Sequence, residues 1–139
     1  MSRGRALAAI VQGVESDRDA YGTLRALLED QFAAALRHDA PALGELSARI
    51  TALVAVLDAR RVERETICAT LAGQSARLPA ILPLLPQAAR QAFGAAWEAL
   101  EAQVVDCKRL NARNGRLITE QHELMQRLLR GDADTYAPA

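Results

Sequence analysis

The sequence predicts an all-α fold, an antiparallel helical hairpin followed by a long third helix in a coiled-coil-like three-helix bundle. Three observations carry that expectation. Alanine and leucine supply about a third of the 139 residues while aromatics make up only 4%, a mix that favours long helices. Apolar residues recur at alternating spacings of three and four over long stretches. The one dense proline cluster lies between Gly73 and Pro86. A chain of this length suits one domain, here residues 1–139, with a modest core.

The first helix is expected over about residues 5–38, where Leu7, Ile10, Val11, Val14, Tyr21, Leu24, Leu28, Phe32 and Leu36 form the stripe. The turn "RHDAPAL" follows, with Asp39 as a cap and Pro41 near the first helical position, where a missing N–H costs little. The second helix, about residues 41–72, carries a heptad seam: Leu43, Leu46, Ile50, Leu53 and Leu57, then Arg60 and Arg64, then Ile67 and Leu71. In "GQSARLPAILPLLP" three prolines exclude a continuous helix, and Ile81, Leu82, Leu84 and Leu85 are expected to fold over the open end of the bundle. The third helix is expected over about residues 87–130. Its stripe reads Phe93, Trp97, Leu100, Val104, Cys107, Asn111, Asn114, Ile118, Gln121, Met125 and Leu128, with Gly131 ending it and 131–139 forming a mobile polar tail.

At 1.5 Å per residue the hairpin helices are about 50 Å long and the third about 65 Å, so roughly ten residues must overhang. If the third helix climbs from the end of the second, it passes the Asp39 turn near Ile118. Leu117, Ile118, Leu124, Met125, Leu128 and Leu129 then line an apolar surface with no partner in the chain.

Charge narrows the function. The 17 basic and 17 acidic side chains cancel and are interspersed, leaving no basic stripe for a phosphate backbone, so no nucleic acid is expected. No run reaches the roughly 18 apolar residues of a membrane span, and the start "MSRGRALAAIVQG" is too briefly apolar for a secretory signal; a cytoplasmic protein without membrane insertion is expected. Cys68 and Cys107 lack a CxxC or neighbouring histidine and read as buried reduced thiols. His38 and His122 have no ligand at metal spacing, and no nucleophile–base pair or phosphate loop is visible. Neither metal, cofactor nor catalytic residue is expected.

A hairpin centred near Asp39 pairs residues whose numbers sum to about 79. Glu15 and Asp17 then face Arg60, Arg61 and Arg64 in an interhelical ion-pair layer that fixes register, with Trp97 at the same level placed to cover an arginine. The alternative for these arginines is an anion site. Asn111 and Asn114 fall on the third stripe, as a buried polar layer with Gln31 and Ser47. Gly115, costly in a helix interior by about 1 kcal/mol relative to alanine, permits close approach of another backbone or a hinge.

"CKRLNARNGRLI" (Cys107 to Ile118), then "LLRG" (Leu128 to Gly131) and the pair Thr135–Tyr136, resembles the C-terminal signature of the FlgN family of flagellar type III export chaperones. The resemblance extends more loosely over nearly the whole chain. It implies a small cytoplasmic helical chaperone that binds the C-terminal segments of the hook–filament junction proteins FlgK and FlgL, prevents their premature assembly and delivers them to the export gate. It places cargo binding on the C-terminal helix, here Leu110, Asn111, Asn114, Gly115, Leu117, Ile118, Gln121, Leu124, Met125 and Leu128, and contact with the export-gate protein FlhA on Tyr136. An empty cargo strip is also an association hazard, so a homodimer is expected without cargo. Two other readings stay open: a helical adaptor acting by self-association, and a small helical mutase whose arginines hold a dianion.

Overall fold

The computed structural model describes residues 2–73 and 77–136, with side chains described as far as Gly131. Helix α1 spans Arg3–Leu36, α2 Ala40–Ala72 and α3 Gln87–Tyr136, with a 3₁₀ segment at Leu78–Leu84. Ser2 caps α1 by accepting from the Arg5 N–H, and Asp39 caps α2 by accepting from the Ala42 N–H at 3.1 Å, with Pro41 in the first turn. The α1–α2 turn closes in a Schellman-type arrangement: the Asp39 N–H donates to the Ala34 carbonyl and the His38 N–H to that of Ala35. His38 takes the left-handed conformation this needs, at φ 55°. Its place in the sequence is explained by the turn.

Helix α1 is the central element. Helices α2 and α3 each pack along it, whereas α2 and α3 barely touch one another. Against α2, Asp17 meets Arg60 and Arg64, and Gln31 meets Ser47, so paired numbers sum to 77–81. Against α3 the pairing is parallel: Arg18 with Gln103, Tyr21 with Cys107, Leu28 with Asn114 and Ala35 with Gln121, an offset of 85–86. That offset carries α3 past the end of α1 just beyond Gln121, within a turn of the expected Ile118.

Two apolar clusters fill the bundle. The lower one gathers Leu7, Ile10, Val14, Cys68, Phe93 and Leu100 under Leu78, Ile81 and Leu85 of the proline-rich segment, which closes that end as expected. Arg90 holds the segment in place, donating to the carbonyls of Leu85 and Pro83 at 3.1 Å each. The upper cluster joins Leu24, Leu28, Leu57, Cys107 and Leu110. Asp17, 1% exposed, takes Arg60 and Arg64 between the two.

Four expectations need correction. The buried seam of α3 is Phe93, Ala96, Leu100, Cys107, Leu110 and Asn114, so Leu110 is core and Asn111 is exposed. A heptad seam steps 3-4-3-4, and from Cys107 it reaches Asn114 through Leu110; the stripe through Trp97, Val104 and Asn111 flanks it. Gly131 does not end α3, which continues to Tyr136, because a solvent-exposed glycine weakens a helix without breaking it. Residues 131–136 are therefore helical instead of a loose tail; 137–139 lie outside the described residues. Of the expected ion-pair layer only Asp17, Arg60 and Arg64 cross the helices, since Glu15 pairs with Arg18, and Arg61 with Asp58 and Glu65, each along its own helix. Among the described residues the cation–π contact is Arg113 over Phe32 at 3.8 Å, not an arginine against Trp97.

Candidate functional site

The site grows out of the polar layer at the top of the bundle. Asn114 is 1% exposed, and its Nδ2 donates to the Leu28 carbonyl at 2.7 Å and to Gln31 Oε1 at 2.9 Å. Gln31 in turn donates to Ser47 Oγ at 3.2 Å. One asparagine thereby ties α3 to α1 and, through Gln31, to α2. Arg113 seals the layer from outside, donating to Asn114 Oδ1 and, at 2.7 Å, to Glu29. Buried amides of this kind fix alignment, because a slip of one turn would leave each of them unpaired.

About two turns below, Asp106 accepts from Arg25 at 2.6 Å and Arg109 at 2.7 Å, and these two hydrogen bonds, Arg109 first, hold its carboxyl below the usual range. Burial raises the Cys107 thiol, which donates to the Tyr21 carbonyl, and burial raises the Cys68 thiol. Both cysteines are free and buried. Neither is an exposed reactive thiolate.

Above this layer the helix leaves its support. Gln121 donates to the Ala35 carbonyl at 3.0 Å, the last such tie to α1 among the described residues. Every residue from His122 to Gly131 is exposed. Ile118 is 36% exposed, Leu124 51%, Met125 and Leu128 55%, and Leu129 61%. They continue the seam and its flank, so α3 presents to solvent the same kind of surface that α1 covers lower down. Backbone geometry gives the overhang, 122–136, a length of about 22 Å.

The ten candidate residues therefore divide. Leu110 and Asn114 are core and hold the helix in place. Leu117 and Gln121 are half-buried at the rim, and Asn111, Gly115, Ile118, Leu124, Met125 and Leu128 are exposed. Among the described residues nothing approaches Gly115: an added Cβ would meet no atom within 4 Å, so no backbone contact there uses this glycine. The side chain of Tyr136 lies outside the described residues.

Leu129, expected on the unpartnered surface though outside the cargo-binding set, joins the exposed strip. Sequence reasoning missed one feature, a cleft of about 690 Å³ between α2 and α3, floored by Asp17, Tyr21 and Leu24 and walled by Val54 and Leu57 on one side and Trp97 and Val104 on the other. It exists because α2 and α3 pack on α1 and not on each other, which no single stripe reveals. Two of its arginines, Arg61 and Arg64, already hold carboxylates, which weighs against an anion site. Among the described residues no group of three metal-ligating side chains gathers.

No curated protein and no solved structure matches the chain significantly. The sequence model of the FlgN protein family matches residues 1–131, which takes in the hairpin, the proline-rich cap, the Asn114 layer and the apolar strip up to Leu129. On that match across nearly its whole length, the chain belongs to the FlgN family of flagellar export chaperones.

Proposed function

We propose that this protein is a cytoplasmic chaperone for the hook–filament junction proteins FlgK and FlgL, holding their C-terminal segments along the overhang of α3 until export. The single observation that supports this reading is the strip from Ile118 to Leu129, apolar, helical and uncovered by the described residues. Helix-in-groove recognition works by such a stripe: an amphipathic segment lays its own apolar face along it and buries both. Leucine and methionine suit a site that accepts two cargoes, because their side chains repack at little cost. Leu117, Ile118, Leu124, Met125 and Leu128 would anchor the cargo, with Gln121 and Asn111 at the polar edge and Gly115 letting its backbone come close. Tyr136, at the end of the helix, is the candidate contact for the export-gate protein FlhA.

Chaperoning of this kind requires no bond chemistry, only occlusion and release. Helix α2 contains an 18-residue window of mean hydropathy 1.4, enough by length and composition to cross a membrane. In this chain α2 is engaged as one arm of the hairpin.

Leu124→Asp combined with Leu128→Asp tests the assignment. Each removes an exposed anchor without touching the core, so co-purification with the C-terminal region of FlgK or FlgL should weaken at least about tenfold while the thermal midpoint stays put. Undiminished binding by the double variant would move the site off the overhang.

A further inference from the structure

We infer that cargo does more than lie on the overhang: an amphipathic cargo helix with basic flanks fills the cleft between α2 and α3 and completes a four-helix bundle. This deepens the cargo reading above and rests on it. Helices α1, α2 and α3 occupy three corners of such a bundle, α1 between its two neighbours, and the fourth corner is empty. The cleft is that corner. Tyr21 and Leu24 of α1 form its floor, and the half-buried Trp97 and Val104 face Val54 and Leu57 across it. At the rim Val54 is 46% exposed and Val105 67%. A fourth apolar stripe laid there takes this surface out of water.

Cleft and overhang form one track along α3. Gly115 stands about five turns above Trp97 on the same face of the helix, and Ile118 and Leu129 continue that face onto the overhang. An added Cβ on Gly115 would meet no atom within 4 Å. A cargo backbone can therefore cross closely at this point on its way from the strip to the cleft. From Leu129 down to Trp97 the track is about 48 Å long, and the α2 wall from Val54 to Cys68 flanks the last 21 Å or so. About four turns of helix, apolar at every third or fourth position, span that walled part.

Charge defines the occupant. The floor pair of Asp17 with Arg64 is satisfied within the bundle. On the walls Asp58, Glu65 and Glu101 stand against Arg61, which already pairs with the first two. The mouth is therefore acidic, and lysine or arginine beside the apolar stripe of the incoming helix complements it. The closed end is different. Arg77 lies there at the level of Cys68, whose thiol donates to the Arg77 carbonyl at 3.4 Å, and Leu78 and Pro79 complete the lining. A cation in that place suits the negative C-terminal end of a helix. The occupant thus runs down the cleft parallel to α2, and its last turn stops against the proline-rich segment, as the C-terminal segment of a cargo chain can.

Trp97 is the one tryptophan of the chain and reports on the cleft directly. It lies about 37 Å below His122, where the overhang begins. A tryptophan-free C-terminal segment of FlgK, titrated into the full chain, should shift Trp97 emission to the blue at saturation. Cargo held on the overhang alone would leave the emission unchanged, and that result would overturn the inference. Titration calorimetry on variants gives a second readout. Val54→Asp and Val105→Asp, both at exposed rim positions, should each weaken binding at least about tenfold with the thermal midpoint unmoved. Glu101→Lys and Arg77→Glu should each weaken it severalfold. Wild-type affinity in both aspartate variants, or in both charge reversals, would also overturn it. The overhang assignment fails in a different way: Leu124→Asp with Leu128→Asp then binds undiminished while the emission shift and the loss in Val54→Asp persist, leaving the cleft as the seat. No binding of FlgK or FlgL to the wild-type chain would sink both.

Discussion

Asn114 and Asp17 are the two buried polar side chains of the described core, and they differ in what their loss would do. Asn114→Ala removes the donor to Gln31 Oε1 and the second donor to the Leu28 carbonyl, cutting the tie between α3 and α1 and leaving Gln31 Oε1 without that partner. A loss of about 1–3 kcal/mol in denaturant unfolding is expected. Asp17→Ala strands Arg64, only 13% exposed, and should cost about 3 kcal/mol, whereas Arg60, 41% exposed, can turn to water and its alanine variant should cost less than 1 kcal/mol. Chemical denaturation of the three variants ranks them. Asp106 gives a pH signature. Its carboxyl titrates lower folded than unfolded, so its contribution is present above the ordinary carboxylate range and disappears as pH falls through the folded value. The difference in thermal midpoint between wild type and Asp106→Asn should therefore be largest near neutrality and close in acid.

At the scale of elements, α3 does two jobs along one seam. Up to Gln121 its apolar and amide side chains face α1; beyond it the same periodicity faces water. A chain ending at Gln121 should keep the thermal midpoint of the full protein within a few degrees, because every described residue it lacks is exposed. It should lose cargo binding, and differential scanning calorimetry beside a pull-down reads both. Helix α2 is the loosest arm. Only Leu57 and Cys68 of its 33 residues are buried, against ten residues of α1. Its amides should exchange with deuterium faster than those of α1, since local opening there exposes little apolar surface. Peptide-level exchange that found α2 as protected as α1 would contradict this picture.

For the whole molecule, the fold is asymmetric: one central helix, two flanking ones, a closed end under the proline-rich segment and an open end from which α3 rises. The closed end gathers the larger apolar cluster and the open end offers the strip. On the proposed cargo reading, the part that would engage and release an extended segment is not the part that keeps the protein folded. The cleft between α2 and α3 is the other unfilled surface.

Local pattern determined the helices, the turn capped by Asp39, the pairing of Asp17 with Arg60 and Arg64, and the existence of an overhang, since each follows from periodicity, capping chemistry and a rise of 1.5 Å per residue. Tertiary structure alone decided which of two adjacent stripes on α3 is buried. Leu110 and Asn111 differ by about 100° around the helix, and a stripe three residues wide includes either. The position of α1 put Leu110 inside and Asn111 outside. It likewise decided that Gly115 is uncovered and that α2 and α3 stand apart, because the angle at which two helices flank a third is set by all three packing together and not by the sequence of any one.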